Sequence, residues 1–192
     1  MSKERSDPQP FPASMAWLLD NPVARAQARR LVRRLPIRSG MRVLDLGCGP
    51  GRLAIPIAHQ VGEDGEVLAV DLQPAMLSIV QRRAAAEGLR NVRTLQAAAG
   101  DGGLGENRYD LALLVTVLGE VPAARRAAAV EQLARALRPG GTLAVIESAA
   151  DPHRLRPEAV LALAEPAGLR LEREDRRLMS SQLLLRRPAD NG

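Results

Sequence analysis

From Met41 onward, short apolar runs alternate with stretches of helical period, a texture that predicts βαβ units around a parallel sheet. The predicted strands are Arg42–Leu46, Glu66–Val70, Val92–Gln96, Tyr109–Val115 and Thr142–Glu147. Predicted helices fall between most of them, at about 52–61, 74–87 and 123–137. Pro74 stands at the first position of the second helix and Gly88 follows its end, while Pro139-Gly140 closes the third. Pro56 lies near the N-terminal turn of the first, where a missing amide donor costs least. The stretch Ala97-Ala98-Ala99-Gly100-Asp101-Gly102-Gly103 is too rich in glycine for a regular helix and reads as a loop. In the tail, a helix near 156–166 precedes the runs Leu169–Arg173 and Leu178–Arg187. Joined by a charged turn through Glu174, Asp175 and Arg176, these two runs read as an antiparallel hairpin at the sheet edge.

The N-terminal stretch has a different character. Pro8, Pro10 and Pro12 mark an extended arm, and Met15, Trp17 and Leu18 form a short apolar patch. Asn21-Pro22 has the form of a helix start, with a capping side chain followed by proline at the first helical position. The helix it opens, about 22–35, sets Val23, Ala24, Leu31, Val32 and Leu35 against Arg25, Arg29, Arg30, Arg33 and Arg34. The expected division is therefore an arm and helix over 1–37, serving as a lid, and one α/β domain over 38–192.

Composition narrows the picture. A chain of 192 residues that is 46% hydrophobic supports one sizeable core, and with 2% aromatic residues that core must be aliphatic. The net charge is +5 and Lys3 is the only lysine, so the basic character is carried by arginine. The arginines are spread along most of the chain and few aromatics are available to stack on bases, so a nucleic-acid partner is not favoured. The single cysteine, Cys48, excludes an intramolecular disulfide framework or a Cys-rich zinc site. No metal site is expected, and a reducing, cytoplasmic setting is the default. No secretory signal is visible, and the longest run dominated by apolar residues, 111–118, is far shorter than the roughly 18 residues of a membrane span.

The sharpest chemical signal is Val43-Leu44-Asp45-Leu46-Gly47-Cys48-Gly49-Pro50-Gly51, a strand entering alternate glycines ahead of a helix. Glycine permits positive φ and close approach of a ligand to the backbone, and the helix start offers free amides. The G-x-G-x-x-G dinucleotide fingerprint would need glycine at 52, where the chain has Arg52. A P-loop is excluded by the absence of Gly-Lys-Ser or Gly-Lys-Thr. Asp45 places a carboxylate at the crevice, which suits a cationic ligand better than a phosphate. The glycines alone would also suit an ordinary tight turn; the acids around them argue for a ligand.

Asp45-Leu46-Gly47-Cys48-Gly49-Pro50-Gly51 resembles the first motif of the class I S-adenosylmethionine-dependent methyltransferases, in which an acid at the end of the first strand precedes G-x-G-x-G. Further segments resemble the family in its order: Val67-Leu68-Ala69-Val70-Asp71-Leu72, Gln73-Pro74-Ala75-Met76-Leu77, Tyr109-Asp110-Leu111-Ala112-Leu113-Leu114 and Leu137-Arg138-Pro139-Gly140-Gly141-Thr142-Leu143. The likeness runs over about 38–187. It implies a Rossmann-like three-layer α/β sandwich with a seven-stranded, mostly parallel sheet and an antiparallel C-terminal hairpin. It also implies S-adenosylmethionine as cofactor.

Carried onto this chain, the resemblance gives Asp45 the cofactor's ammonium and gives Gly47, Cys48, Gly49 and Gly51 its methionine and ribose portions. Asp71 takes the ribose hydroxyls and Leu72 and Met76 pack on the adenine, with Ala98, Ala99 and Val115 completing the pocket. Asp110 supports a strand start instead of touching a ligand. The chain departs from the pattern at two places. Where many relatives carry an acid that reads the adenine amino group it has Ala98, with Asp101 as a substitute if the loop is shifted. Where some carry histidine ahead of Glu120 it has Gly119. Candidate general bases are Glu147 at the end of the fifth strand, Glu120, and His153 on the loop beyond, the last equally compatible with a solvated surface role; His59 reads as structural. The expected activity is methyl transfer to a small-molecule acceptor, with RNA or protein methylation and non-catalytic cofactor binding as the alternatives. The oligomeric state is open, and a homodimer is compatible with the sequence.

Overall fold

A computed structural model describes Pro12, Met15 and residues 21–189. Strands β1 (Arg42–Leu46), β2 (Glu66–Asp71), β3 (Val92–Gln96), β4 (Tyr109–Val115), β5 (Leu137–Ser148), β6 (Arg170–Arg177) and β7 (Ser180–Arg186) form one seven-stranded sheet in the order β3-β2-β1-β4-β5-β7-β6. The first five pair in parallel, while β7 is antiparallel to β5 and β6. The helices are α1 (Pro22–Val32), α2 (Ala54–Val61), α3 (Pro74–Ala86), α4 (Ala123–Ala136) and α5 (Pro157–Ala164).

The strand sequences explain the layering. Alternate residues point to opposite faces of a strand, and β1 and β4 are apolar at most of their buried positions because both faces are covered. Val43, Leu111 and Leu113 enter a core with Val32, Ile57 and Val80 from α1, α2 and α3. Leu44, Leu46, Ala112 and Leu114 enter the opposite core with Val130 and Leu133 of α4 and Val160 of α5. Residue 45 is the exception in β1, an aspartate at the carboxyl end of a buried strand.

Several local signals are realised as the sequence predicts. The Asn21 side chain accepts from the Ala24 amide at 2.9 Å and Pro22 opens α1. Gly88, just beyond α3, has φ +68°. Asp110 accepts from the Arg42 amide at 2.7 Å and pairs with Arg138 at 2.5 Å, tying the starts of β1, β4 and β5 together.

Boundaries in the C-terminal half differ from expectation. β5 begins at Leu137, directly after α4, so the Arg138-Pro139-Gly140-Gly141 stretch lies within the strand. The ladder to β4 shifts register between Tyr109 and Leu111, and a Cβ on Gly141 would stand 3.0 Å from the Tyr109 carbonyl oxygen. Glycine thus makes this irregularity possible. The hairpin turn falls at Leu178-Met179, not at the charged cluster 174–176, because Arg177 pairs with Ser180. β6 is the edge strand and almost wholly exposed, and charge on an edge strand discourages edge-to-edge association. Its polarity therefore reflects position in the sheet, while the true turn carries a leucine that is 94% exposed.

Candidate active site

The strand order reverses between β1 and β4, and ligands of open parallel sheets sit beyond the carboxyl ends of the strands at such a switch point. A cleft of about 850 Å³ opens there, bordered by Asp45 to Leu53 without Gly51, by Asp71 to Gln73 and Met76, by 97–99, and by segments after β4 and β5. That volume lies within the roughly 300–1,000 Å³ range of small-molecule sites.

The glycine turn is shaped by positive φ at Gly47 (+75°), Gly49 (+52°) and Gly51 (+78°), values that L side chains adopt only under strain. A Cβ at Gly47 would meet Val117 at 2.3 Å, so glycine there allows the segment after β4 to pack against the turn. A Cβ at Gly49 would meet nothing within 4 Å, which leaves its backbone open to the cleft. Gly51 departs from expectation: it is buried against Val80 of α3 and stands off the cleft wall, so its role is helix packing.

Asp45 and Asp71 stand on either side of this turn. The Asp71 carboxylate accepts from the Gly49 and Gln73 amides at 2.9 Å each, using one acceptor site of each oxygen. A carboxylate offers about four such sites, so capacity for further donors remains. Asp45 is 2% exposed and its Oδ2 is buried without a hydrogen-bond partner among the described residues. Burial pushes its pKa up to about 7, with Asp71 adding to the rise while Arg52 and the Ala54 amide oppose it. Burial likewise raises the Cys48 thiol well above its ordinary range, so this cysteine lines the cleft as a neutral group.

Leu72, half exposed, and Met76, buried, supply apolar wall, as do Ala97, Ala98 and Ala99. Asp101 is off the wall. It accepts from the Ala98 amide at 3.2 Å and pairs with Arg125, so it shapes the loop that brings the alanines to the cleft and does not substitute for them.

The opposite wall is built by Val115 to Val117 and Glu120 to Pro122 after β4, and by Ser148 and Ala150 to His153 after β5. Arg126 of α4 donates to the Val121 and Gly119 carbonyls at 2.9 and 3.0 Å and pins the first of these segments. A Cβ at Gly119 would meet the His153 carbonyl oxygen at 2.1 Å, so glycine at that position lets the two segments touch. Glu120 and His153 therefore stand on one wall, with the His153 amide held by Asp151 at 2.8 Å. Glu147 does not join them. It is 2% exposed and off the wall, with both carboxylate oxygens buried and unpartnered among the described residues. Its pKa rises to about 7 through burial and the nearby Asp151 and Glu120, against the Leu155 amide and Arg126.

Among the wall residues that were not predicted, three shape the cleft. Thr116, with φ +55°, turns the chain after β4 in a conformation that a β-branched residue rarely adopts. Val117 closes on Gly47, and Arg52 stands beside Asp45 where the dinucleotide pattern would have glycine. Nothing in the composition of Val115-Thr116-Val117 signals the bend; Arg52 was visible as a departure, but its electrostatic role required the fold. Of the expected lid, Pro12 borders the cleft, α1 does not, and Trp17 and Leu18 lie outside the described residues. His59 pairs with Glu87 at 2.7 Å and joins α2 to the end of α3, consistent with a structural role.

A seven-stranded sheet of this order, with a glycine turn after β1 and acids ending β1 and β2, defines the class I S-adenosylmethionine-dependent methyltransferase fold. A family model described as a methyltransferase domain matches residues 43–141, and the chain belongs to that family. It is 36% identical over 135 residues to a ubiquinone/menaquinone biosynthesis C-methyltransferase of Azotobacter vinelandii, covering 67% of this chain and 53% of that one. The chain spans about half the length of the curated relatives it matches. Among solved structures, a SAM-dependent methyltransferase from Aquifex aeolicus superimposes with TM-score 0.83 at 24% identity, over 92% of this chain and 99% of that one. The [4+2]-cyclase SpnF superimposes with TM-score 0.75 at 18% identity, over 86% of this chain and 81% of that one. No helix among the described residues is long and apolar enough to cross a membrane.

Proposed function

We propose that this chain transfers a methyl group from S-adenosylmethionine to a small-molecule acceptor. The observation that carries the reading is the Asp45 carboxylate, buried at the cleft without a hydrogen-bond partner for Oδ2. A buried carboxylate is costly unless a charge or donor meets it, and the cofactor's α-ammonium is such a group. The donor set fits the rest of the molecule. The backbone of 47–49 would hold the methionine and ribose portions, Asp71 would accept from the ribose hydroxyls, and Leu72, Met76, Ala98, Ala99 and Val115 would supply the apolar wall for the base.

When bound, the cofactor supplies a methyl group on a sulfonium already activated toward in-line displacement. The protein's own contribution is to position the acceptor and exclude water. The wall from Thr116 to Pro122 and from Ala150 to His153 faces the cofactor side of the cleft and forms the acceptor site. Glu120, His153 and Asp151 are groups there able to take a proton from an acceptor that must lose one. Pro12 borders the cleft beside this wall. The absence of α1 from the cleft wall favours a small molecule over a nucleic acid, since its arginines do not border the site. The C-methylation named for the Azotobacter vinelandii relative makes a nucleophilic carbon the first acceptor class to assay.

Incubation with S-adenosylmethionine and a panel of carbon, oxygen, nitrogen and sulfur nucleophiles, with detection of the demethylated cofactor, tests the reading. Acceptor-dependent release that is lost in Asp45→Asn supports it. Tight cofactor binding without turnover on any acceptor, or methylated RNA or protein in place of small molecules, overturns it.

A further inference from the structure

A second cavity, of about 390 Å³, lies outside the cleft at the junction of α1, α2 and α3. Arg25, Arg29 and Arg33 line it from α1, Arg52 from the glycine turn and Arg83 from α3. The three from α1 recur every fourth residue, so they share one stripe of that helix. This stripe directly adjoins the stripe of Ala24, Ala28 and Val32, which is buried. The arginines consequently rim the interhelical junction while staying exposed to solvent, and like charges at that spacing destabilise a helix unless something opposes them.

Arg29 and Arg33 make no side-chain hydrogen bond or ion pair with any described residue. The acid on the cavity wall, Glu87, is already engaged by His59 at 2.7 Å. Arg83 donates to the Pro50 carbonyl at 2.8 Å, which fixes it between the cavity and the glycine turn. Val32, Ile55 and Pro56 supply apolar wall, and a low-dielectric lining strengthens charge pairing. Guanidinium groups are suited to bidentate contact with phosphate oxygens.

From these residues we infer that the α1–α2–α3 cavity is a binding site for a diphosphate group carried on a partly apolar body. Several guanidiniums around one concavity match two adjacent phosphates better than one, and Pro56, partly exposed above the buried Val32 and Ile55, offers a small apolar surface for the rest of such a ligand. The site is separate from the methyl-transfer reading and stands or falls independently of it.

Calorimetric titration with inorganic pyrophosphate tests the inference, using the full chain at about 50 mM and about 200 mM salt to expose the electrostatic component. Saturable binding at about one per chain is expected, at least tenfold tighter than orthophosphate and weakened at least tenfold in the double variant Arg29→Gln/Arg33→Gln, a loss of about 1.4 kcal/mol. Arg29→Lys/Arg33→Lys keeps the charge and is expected to retain part of the affinity. Both substitutions are at exposed positions, and an unchanged urea-unfolding midpoint in the same samples reports an intact fold. No saturable binding, binding indifferent to the double variant, or an RNA oligomer that binds tightly and is not displaced by pyrophosphate overturns the inference.

Discussion

Two carboxyl groups at the carboxyl end of the sheet invite comparison. Asp45 near the end of β1 and Glu147 near the end of β5 lie on strands that flank β4, each is 2% exposed, and burial raises each to a pKa of about 7. Their surroundings differ. Asp45 forms part of the cleft wall beside an arginine and an open run of backbone, whereas Glu147 sits off the wall among Asp151 and Glu120. An elevated pKa at a cleft is often taken as the mark of an acid–base group. Here the same elevation accompanies a place on the cleft wall in one case and plain confinement in the other. Reach decides function, and the pKa reports only the cost of burial.

The largest expected effect follows from Asp45. Replacing it with asparagine removes a charge-assisted contact worth about 1.5–3 kcal/mol, so S-adenosylmethionine affinity is expected to fall ten- to a hundredfold by calorimetry. The same change should stabilise the cofactor-free protein. A carboxyl whose folded pKa lies above its unfolded value of 3.8 contributes most below that value and loses its contribution as pH rises through about 7. At pH 8 the charged form is fully buried at a cost of a few kcal/mol, at roughly 1.4 kcal/mol per unit, and asparagine escapes it. Thermal unfolding at pH 8 should therefore shift upward while binding collapses. Unaltered affinity would remove the distinction between the two carboxyls.

Asp71→Ala comes next, with at least a tenfold loss of cofactor affinity, about 1.4 kcal/mol. Asp71 also holds the Gly49 and Gln73 amides, so urea unfolding is expected to show a stability loss of about 1 kcal/mol as well. A stability loss without a binding loss would make Asp71 a brace for the turn and nothing more.

What could be read before the fold was known divides along the same line as the two carboxyls. The β1 turn and the β2 acid are local patterns: an apolar strand, glycines where φ must be positive and a carboxylate at a fixed spacing, all within a few residues. The family resemblance that these patterns carry implied the seven-stranded, mostly parallel sheet, and Asp45, Asp71 and Met76 all border the cleft. The acceptor wall is assembled from segments far apart in the chain, and there the reading failed in particular ways. Glu147 looks cleft-facing from its strand position, yet the side chain turns out to be enclosed. Gly119 looks like a missing histidine, yet it is small because the His153 backbone lies against it. Gly51 fits the motif but serves α3. The charged run 174–176 mimics a turn because an edge strand has two wet faces.

The pH dependence of cofactor binding separates the two carboxyls further. Binding requires the ionised Asp45, so affinity should decline toward tenfold per unit as pH falls below about 7. The cofactor's own α-amino group is cationic below about 7.7–8.0, so affinity should also decline above that range. Calorimetry from pH 5.5 to 9, steps of about one unit, is expected to give a maximum in a narrow window near pH 7–8, and a flat profile would exclude Asp45 as the ammonium partner.

Glu147→Gln should move cofactor affinity least, within about threefold, well under the 1.4 kcal/mol of a decade. Its effect belongs to stability. The Glu147 carboxyl has a folded pKa of about 7 against 4.5 for the unfolded chain, so its contribution is full below about 4.5 and lost as pH rises through about 7. Neutral glutamine of similar shape removes that dependence. At pH 8 the variant is expected to melt later by about 3 °C, on the order of 1 kcal/mol for a chain of this size once the nearby cleft water screens part of the burial cost. At pH 5, where Glu147 is already protonated, wild type and variant should coincide. Turnover carries the decisive contrast: if Glu147→Gln abolished methyl transfer while binding and folding stayed intact, the enclosed carboxyl would have to reach the acceptor through a rearrangement of the 148–153 segment. Turnover retained in that variant and lost in Glu120→Gln or His153→Ala would place proton removal on the cleft wall, where access to the acceptor already exists.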